Sequence, residues 1–243
     1  VFNWFKKKDT EPTGIPVVVD MHSHLLPGLD DGVTSFEESE MIIRQFQELG
    51  YSKLITTPHI ISDTYHNTPD LILGKLKELN EYLAARQVNI IVRAAAEYYL
   101  DEVLFKKVEN NESLLTLGSR YVLFEMNFLT EPFQLKDFIF LLGVKGYRPV
   151  LAHPERYLFL QQDMDKVEDL YNRGVLLQVN TVSLTGYYSK SAQHLAQKLI
   201  DKGWIHFLGS DCHSMHHMDL LKQVRNNRYF HKALELPLLN NTL

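Results

Sequence analysis

The chain of 243 residues has one cysteine, so no intramolecular disulfide can form, which suits a reducing compartment. No apolar run approaches the roughly 18–20 residues that span a bilayer. The opening stretch VFNWFKKKDTEPTG lacks the apolar core and cleavage site of a secretory signal. These absences predict a cytoplasmic protein without membrane insertion. A surplus of basic charge is missing too. Thirty acidic residues against 25 Lys and Arg leave a net charge of −5, and with it no general attraction for nucleic acid. Nor does any linker or low-complexity segment divide the chain. Residues 1–14 read as an N-terminal tail with Lys6, Lys7 and Lys8 in solvent, and residues 15–243 as one domain.

The composition that remains is that of an ordinary globular protein, 45% hydrophobic and 23% charged, long enough for a barrel-sized core. Four junctions repeat one pattern: ELGYSKLITT, VKGYRPVLAH, NRGVLLQVNT and DKGWIHFLGS. In each a helix-like stretch stops at a glycine (Gly50, Gly146, Gly174, Gly203) and a short apolar run follows, as in an αβ loop. Seven such runs occur, at 17–19, 54–55, 90–95, 121–124, 149–152, 175–179 and 205–208. They are continuous rather than alternating, as parallel strands buried on both faces require. Between them lie helical stretches. In SFEESEMIIRQFQELG, Ser35 and Glu38 form a capping-box pattern, and Met41, Ile42, Gln45, Phe46 and Leu49 trace one face. Seven β units separated by helices predict an α/β protein with a (β/α)7 barrel.

Active sites of such barrels lie at the C-terminal ends of the strands. The residues there form a consistent set. Strand one leads to His22 and His24, then Asp30 and Asp31; strand two leads to His59. Strands three and four lead to Glu97 and Glu125, and strand five to His153 and Arg156. Strand six ends at Asn180, and strand seven leads to Asp211 and His213. A lone His-x-His pair is a weak signal, a single strand-end glutamate can cap a helix, and Asp-Asp-Gly is an ordinary turn. Six of seven strands ending in an ionisable ligand type is different, because buried carboxylates and imidazoles without partners are costly. Imidazole and carboxylate together suit zinc, manganese or iron, and there are more of them than one tetrahedral ion uses. His216 and His217 stand close enough in sequence to touch a substrate. Tyr98 and Tyr99 flank Glu97 and read as packing residues. His194 reads as exposed, His206 as packed, and His66 and His231 carry no pattern.

The series DMHSHLLPGLDDG, TTPH, the glutamate after strand three, AHPER and SDCH resembles the polymerase-and-histidinol-phosphatase (PHP) superfamily. Within it the chain is most similar to the bacterial manganese-dependent protein-tyrosine phosphatases of capsule and exopolysaccharide operons. The motifs run from residue 20 to residue 213. The resemblance implies a distorted seven-stranded, TIM-barrel-like fold. It also implies two or three divalent transition-metal ions, with manganese ahead of iron or zinc, and a substrate in the phosphotyrosine tail of a bacterial kinase. By motif, His22, His24 and Asp211 would hold one metal, bridged by Glu97 to a second held by His153 and Glu125. His59, His213 and either Asp30 or Asp31, with Asp31 preferred, would hold a third. Arg156 would grip the phosphate. The family's second arginine, after the last histidine, is missing from SMHHMD; His216 or His217 as a cation, or Arg225 or Arg228, could take its place. The implied reaction is attack of metal-activated hydroxide on phosphorus. Thiol chemistry fails on sequence, because the position six after Cys212 is Met218 rather than arginine. The competing readings are a histidinol-phosphate phosphatase or other small-molecule phosphoesterase, an amidohydrolase, and a non-catalytic phosphotyrosine-binding protein.

Overall fold

The structure is a computed structural model and describes residues 16–243, so the expected tail with Lys6, Lys7 and Lys8 lies outside the described residues. Among the described residues there are nine short strands: β1 (Val19–Asp20), β2 (Lys53–Thr56), β3 (His59–Ile60), β4 (Ile91–Ala94), β5 (Glu97–Tyr99), β6 (Tyr121–Glu125), β7 (Arg148–Ala152), β8 (Leu176–Asn180) and β9 (Ile205–Gly209). Every paired neighbour is parallel, in the orders β1-β2-β4 and β3-β5-β6-β7-β8-β9.

Nine strands fill seven positions. β3 resumes the path of β2 after Thr57 and Pro58, where proline has no N–H to give the ladder. β5 resumes β4 after Ala95 and Ala96. Across this double break the Ala95 amide donates to the Thr56 carbonyl at 2.9 Å, and the Glu97 amide to that of Pro58 at 3.2 Å. The chain past β9 then meets the chain past β1. The Asp211 amide donates to the His22 carbonyl (2.8 Å), the His24 amide to that of Cys212 (2.9 Å), and Ser210 binds the Asp20 carboxylate through its amide (2.8 Å) and hydroxyl (2.9 Å). These bonds join the two ends of the ring at the face where the strands finish.

Inside, one apolar cluster draws on nearly every position: Val19, Met21, Ile55, Ala95, Leu123, Val150, Leu176 and Phe207. A larger cluster fills the layer between strands and helices. The two-residue period of a strand sorts the two. In β8, Leu176 belongs to the inner cluster and Leu177 to the outer, so Gln178 and Asn180 continue the inner face upward. The barrel therefore has an apolar floor and a polar mouth. Among the described residues no helix is long and apolar enough to cross a membrane.

The four glycine junctions all have positive φ, between +67° and +89°. Two details of the helix Phe36–Glu48 differ from expectation. Ser35 does cap it, accepting from the Glu38 amide at 3.2 Å, but Glu38 reaches back to the amide and hydroxyl of Thr34 rather than to Ser35. Its buried face is Ser39, Ile42, Ile43 and Phe46, while Met41 is 53% exposed. The adjacent Met41-Ile42-Ile43 run fits either phase of the period, and packing on the barrel chose the later one.

Gly209 is fixed by close approach: a Cβ there would lie 2.6 Å from Gln178 Nε2 and 2.8 Å from His22 Cβ. Gly209→Ala should cost about 1–3 kcal/mol in urea unfolding, as overpacked cores do. Gly143→Ala, in the helix Leu135–Val144 with nothing near the added carbon, should instead gain about 0.5 kcal/mol. Equal effects at both positions would contradict this packing at the barrel mouth.

Candidate metal centre

The mouth of the barrel gathers side chains from nearly every strand end. His22 and His24 follow β1, His59 opens β3, Glu97 opens β5 and Glu125 ends β6; His153 follows β7, while Asp211 and His213 follow β9. Among the described residues their ligand atoms form three overlapping groups, each within 4.8 Å: His22, His24, Glu97 and Asp211; His24, Asp31, His59 and His213; and His59, Glu97 and Glu125. His153 joins through Nε2, 3.0 Å from one Glu97 oxygen and 3.9 Å from Glu125. Two of these residues adopt the left-handed conformation that non-glycine residues avoid, His153 at φ +35° and Asp211 at φ +50°. Such strain persists only where the surroundings impose it, and here it turns both side chains into the mouth.

The imidazoles are held in a defined tautomer. His22 Nδ1 donates to Gln178 Oε1 at 2.8 Å, His24 Nδ1 to Asp30 Oδ2 at 2.7 Å, and His213 Nδ1 to the Asp211 carbonyl at 2.9 Å. Each ring thus presents Nε2 to the centre, the arrangement that outer partners give to metal-binding histidines. The adjacent aspartates separate. Asp30 is buried behind His24, where it also accepts from the amides of Gly32 (3.0 Å) and His59 (3.1 Å). Asp31 faces the cavity, 3.5 Å from His59 Nε2 and 3.4 Å from His213 Nε2.

Burial opposes charge on Glu97, but the charges of His22 and His59 and a bond from His153 hold its carboxyl well below the usual range. Asp211 is held down likewise by His22, His24, His213 and Arg156. Burial also disfavours a charged His22, yet Glu97 and Asp211 prevail and raise it to about 9. His24 is raised for the same kind of reason, chiefly by Asp30 against burial. The donor set suits a divalent cation, being nitrogen and oxygen ligands aimed at shared points. His59 Nδ1 gives an independent sign: it is buried without a hydrogen bond, although oxygens of Glu125 and Glu97 stand 3.1 and 3.2 Å away.

Beside the cluster lies a cavity of about 580 Å³. Arg156 enters its wall with its guanidinium between the rings of Phe128 (4.7 Å) and Tyr188 (4.3 Å), donating to Asp211 Oδ2 at 3.0 Å. The Asn180 side chain donates to the same oxygen at 2.6 Å, and the buried Glu155 fixes Asn180 by accepting from its backbone N–H. Tyr65 and Tyr187 complete an aromatic rim. The sequence reading missed this rim, which comes from three separate loops. Gln178 was also missed, although a lone amide inside the apolar run LLQVN was a usable signal.

The stand-ins for a second arginine fare differently. His217 lines the cavity, but its Nδ1 accepts from the His213 amide at 3.0 Å, and burial with the neighbouring His213 pushes it down to about 4. Both effects favour the neutral imidazole at this position. His216 is exposed and forms no part of the cavity wall; Arg225 bonds the Leu49 carbonyl and Arg228 lies over Tyr229, both away from it. Tyr98 is buried and accepts from the Leu115 amide, His194 is exposed, and His206 accepts from the Leu177 amide. Cys212 is fully buried and its thiol is driven far above the usual value by desolvation and by Asp20, so it fills space between its neighbours.

The model of the family described as "Capsular polysaccharide synthesis, CpsB/CapC" matches residues 18–226. The chain belongs to the CpsB/CapC family. CapC of Staphylococcus aureus is 30% identical over 230 residues, covering 93% of this chain and 90% of that protein. The tyrosine-protein phosphatase YwqE of Bacillus subtilis is 27% identical over 198 residues, 82% of this chain and 78% of its own. A solved structure from work on YwqE and on CpsB of Streptococcus pneumoniae, described as unique metal-dependent tyrosine phosphatases, superposes with a TM-score of 0.77. It is 27% identical and covers 85% of each chain. The seven-position barrel is thus the fold of the CpsB/CapC family, as the sequence resemblance implied.

The electrostatics give a prediction for the metal-free protein. A histidine raised to about 9 on folding stabilises fully below its unfolded pKa near 6.5, and loses that contribution as pH rises through about 9. The chelated protein should therefore melt at progressively lower temperature from pH 6.5 to 9. Adding manganese at pH 7.5 should release protons, seen by calorimetry in buffers of different ionisation enthalpy. A flat Tm over that range with no proton release would show that His22 is neutral without metal.

Proposed function

We propose that this CpsB/CapC chain is a metal-dependent protein-tyrosine phosphatase acting on a phosphorylated tyrosine kinase that controls capsule or exopolysaccharide synthesis. The carrying observation is the trio of imidazoles whose Nδ1 atoms are tied to Gln178, Asp30 and the Asp211 carbonyl, leaving the Nε2 atoms of His22 and His24 against the buried Glu97 and that of His213 against Asp31. The phosphatase names of YwqE and CpsB supply the reaction class.

In this reading His22, His24 and Asp211 would hold one ion, His153 and Glu125 a second, and Asp31, His59 and His213 a third, with Glu97 within reach of the first two groups. Asp30 is the residue that orients His24. The ions are manganese, with iron or zinc as substitutes; when bound they supply a water-derived nucleophile at neutral pH and neutralise phosphoryl charge. Arg156 binds the phosphoryl oxygens. The two aromatic faces and Asp211 keep its guanidinium in place, so little reorganisation accompanies the reaction. One Asp211 oxygen lies 3.3 and 3.4 Å from the Nε2 atoms of His22 and His24, while the other takes Arg156 and Asn180, which couples phosphate clamp to metal group. His217, neutral, offers Nε2–H as a donor. The aromatic rim accommodates an aryl phosphate, and phenolate, with a parent pKa near 10, leaves without strong acid assistance. Residues 15–243 act as one domain, working in the cytoplasm on a protein substrate.

Chelation should abolish hydrolysis of a phosphotyrosine peptide and manganese should restore it, while a thiol reagent leaves it intact. Arg156→Ala should keep its metal but lose about 10²–10³ in kcat/KM. Faster turnover of histidinol phosphate than of the peptide would replace this substrate with a small molecule.

A further inference from the structure

A second cavity, of about 280 Å³, adjoins the first. Its walls include Ile60, Ile61, Tyr65, Tyr98, Val103 and Leu104, and two of these, Ile61 and Tyr65, also line the cavity beside the metal cluster. Tyr65 is the partition: its ring stacks on His59, with centroids 5.6 Å apart and planes 13° apart.

Three polar groups bordering this second chamber are already engaged; His66 and Lys107 also stand in its wall, Lys107 paired with Glu112 at 3.6 Å. Asp101 accepts from the amides of Leu104 (2.8 Å) and Ser62 (3.2 Å), the Tyr98 hydroxyl accepts from the Leu115 amide (2.7 Å), and the Asn67 amide donates to the carbonyls of Leu29 and His59 (both 2.8 Å). Most of the wall left to a ligand is apolar. The chamber is also preformed. Ile61 and Tyr65 exchange backbone hydrogen bonds of 3.0 Å, and Asn67 ties the end of their loop to the carbonyl of His59. Val103, 47% exposed on the first turn of the helix Glu102–Glu109, stands at the rim.

We propose that this chamber is a specificity subsite that receives an apolar side chain of the substrate polypeptide, close in sequence to the phosphotyrosine. The proposal rests on the phosphatase reading above and adds to it a preference for sequence around the phosphorylated residue. A phosphoryl group at the metal cluster places its tyrosine ring in the aromatic cavity, and the flanking chain leaves over the Ile61–Tyr65 partition. An apolar side chain beyond the partition buries surface there against Ile60, Ile61, Tyr98 and Leu104, whereas a charged one loses hydration along the same wall. A pocket of this kind discriminates by contact area, so a moderate selectivity is expected.

The test uses the manganese-loaded full chain with p-nitrophenyl phosphate and with phosphotyrosine peptides. In the peptides each position within three residues of the phosphotyrosine carries in turn Gly, Leu or Asp. At one position Leu should raise kcat/KM by about 10-fold over Gly, and Asp should not. Val103→Arg, which places a charge at the rim, should erase that preference and leave p-nitrophenyl phosphate turnover unchanged; Val103→Ala should weaken it. Turnover of p-nitrophenyl phosphate with a flat peptide panel overturns the subsite alone. A preference that survives Val103→Arg also overturns it. Loaded protein that hydrolyses neither p-nitrophenyl phosphate nor any peptide overturns the phosphatase reading and the subsite with it.

Discussion

A carboxylate with no exposure to water, surrounded by imidazole nitrogens, is the constraint on which the rest of this structure depends. Glu97 is fully buried, and its two oxygens stand 3.0–3.4 Å from His22, His24, His59 and His153. Removing such a group from water costs several kcal/mol unless opposite charge is supplied at close range. Protonated histidines can supply it, and so can divalent ions. The protons are the poorer solution, because charged rings then crowd one another: His22 and His24 bring their Nε2 atoms to 3.3 Å. Cations placed between the rings satisfy carboxylate and imidazole together.

The scaffold serves that arrangement. Parallel strands deliver their C-terminal ends to one face, and the ring is joined there by the β1–β9 bonds through Asp20 and Ser210, directly beneath His22 and Asp211. Burial raises Asp20 to about 7, against the lowering effect of those Ser210 bonds, which marks how much solvation was given up to make this seam. Gly209 has no side chain because Gln178 must pass it to reach His22. Positive φ at His153 and Asp211 is a local cost borne at the same face. Stability was conceded where ligands had to converge.

The strands and the clustering of ionisable residues at their ends were legible in sequence for one reason. Apolar runs ending in ionisable residues are rare unless the ends meet something charged, and the runs at 121–124, 149–152 and 205–208 end within a residue of the observed strands β6, β7 and β9. The glycine junctions were legible because the αL conformation excludes most other residues. Other features were not. Asp30 and Asp31 are chemically identical neighbours, and only the turn that buries one behind His24 separates their positions. The breaks between β2 and β3, and between β4 and β5, depend on a neighbour's register as much as on Pro58. The aromatic clamp on Arg156 joins Phe128 to Tyr188 across 60 residues, and no local pattern announces it. For His217, sequence gives its proximity to the mouth but not the backbone amide that occupies its Nδ1.

Glu97 belongs to two of the candidate ligand groups, and the most direct measurement of the proposed shared centre is metal content. The parent chain and Glu97→Gln, equilibrated with manganese and freed of excess, should be compared by mass spectrometry of the metal. The account predicts two or three ions per parent chain and the loss of more than one from the variant, because one side chain reaches two ligand groups. Equal metal content in the two proteins, or a parent chain that retains none, would contradict it.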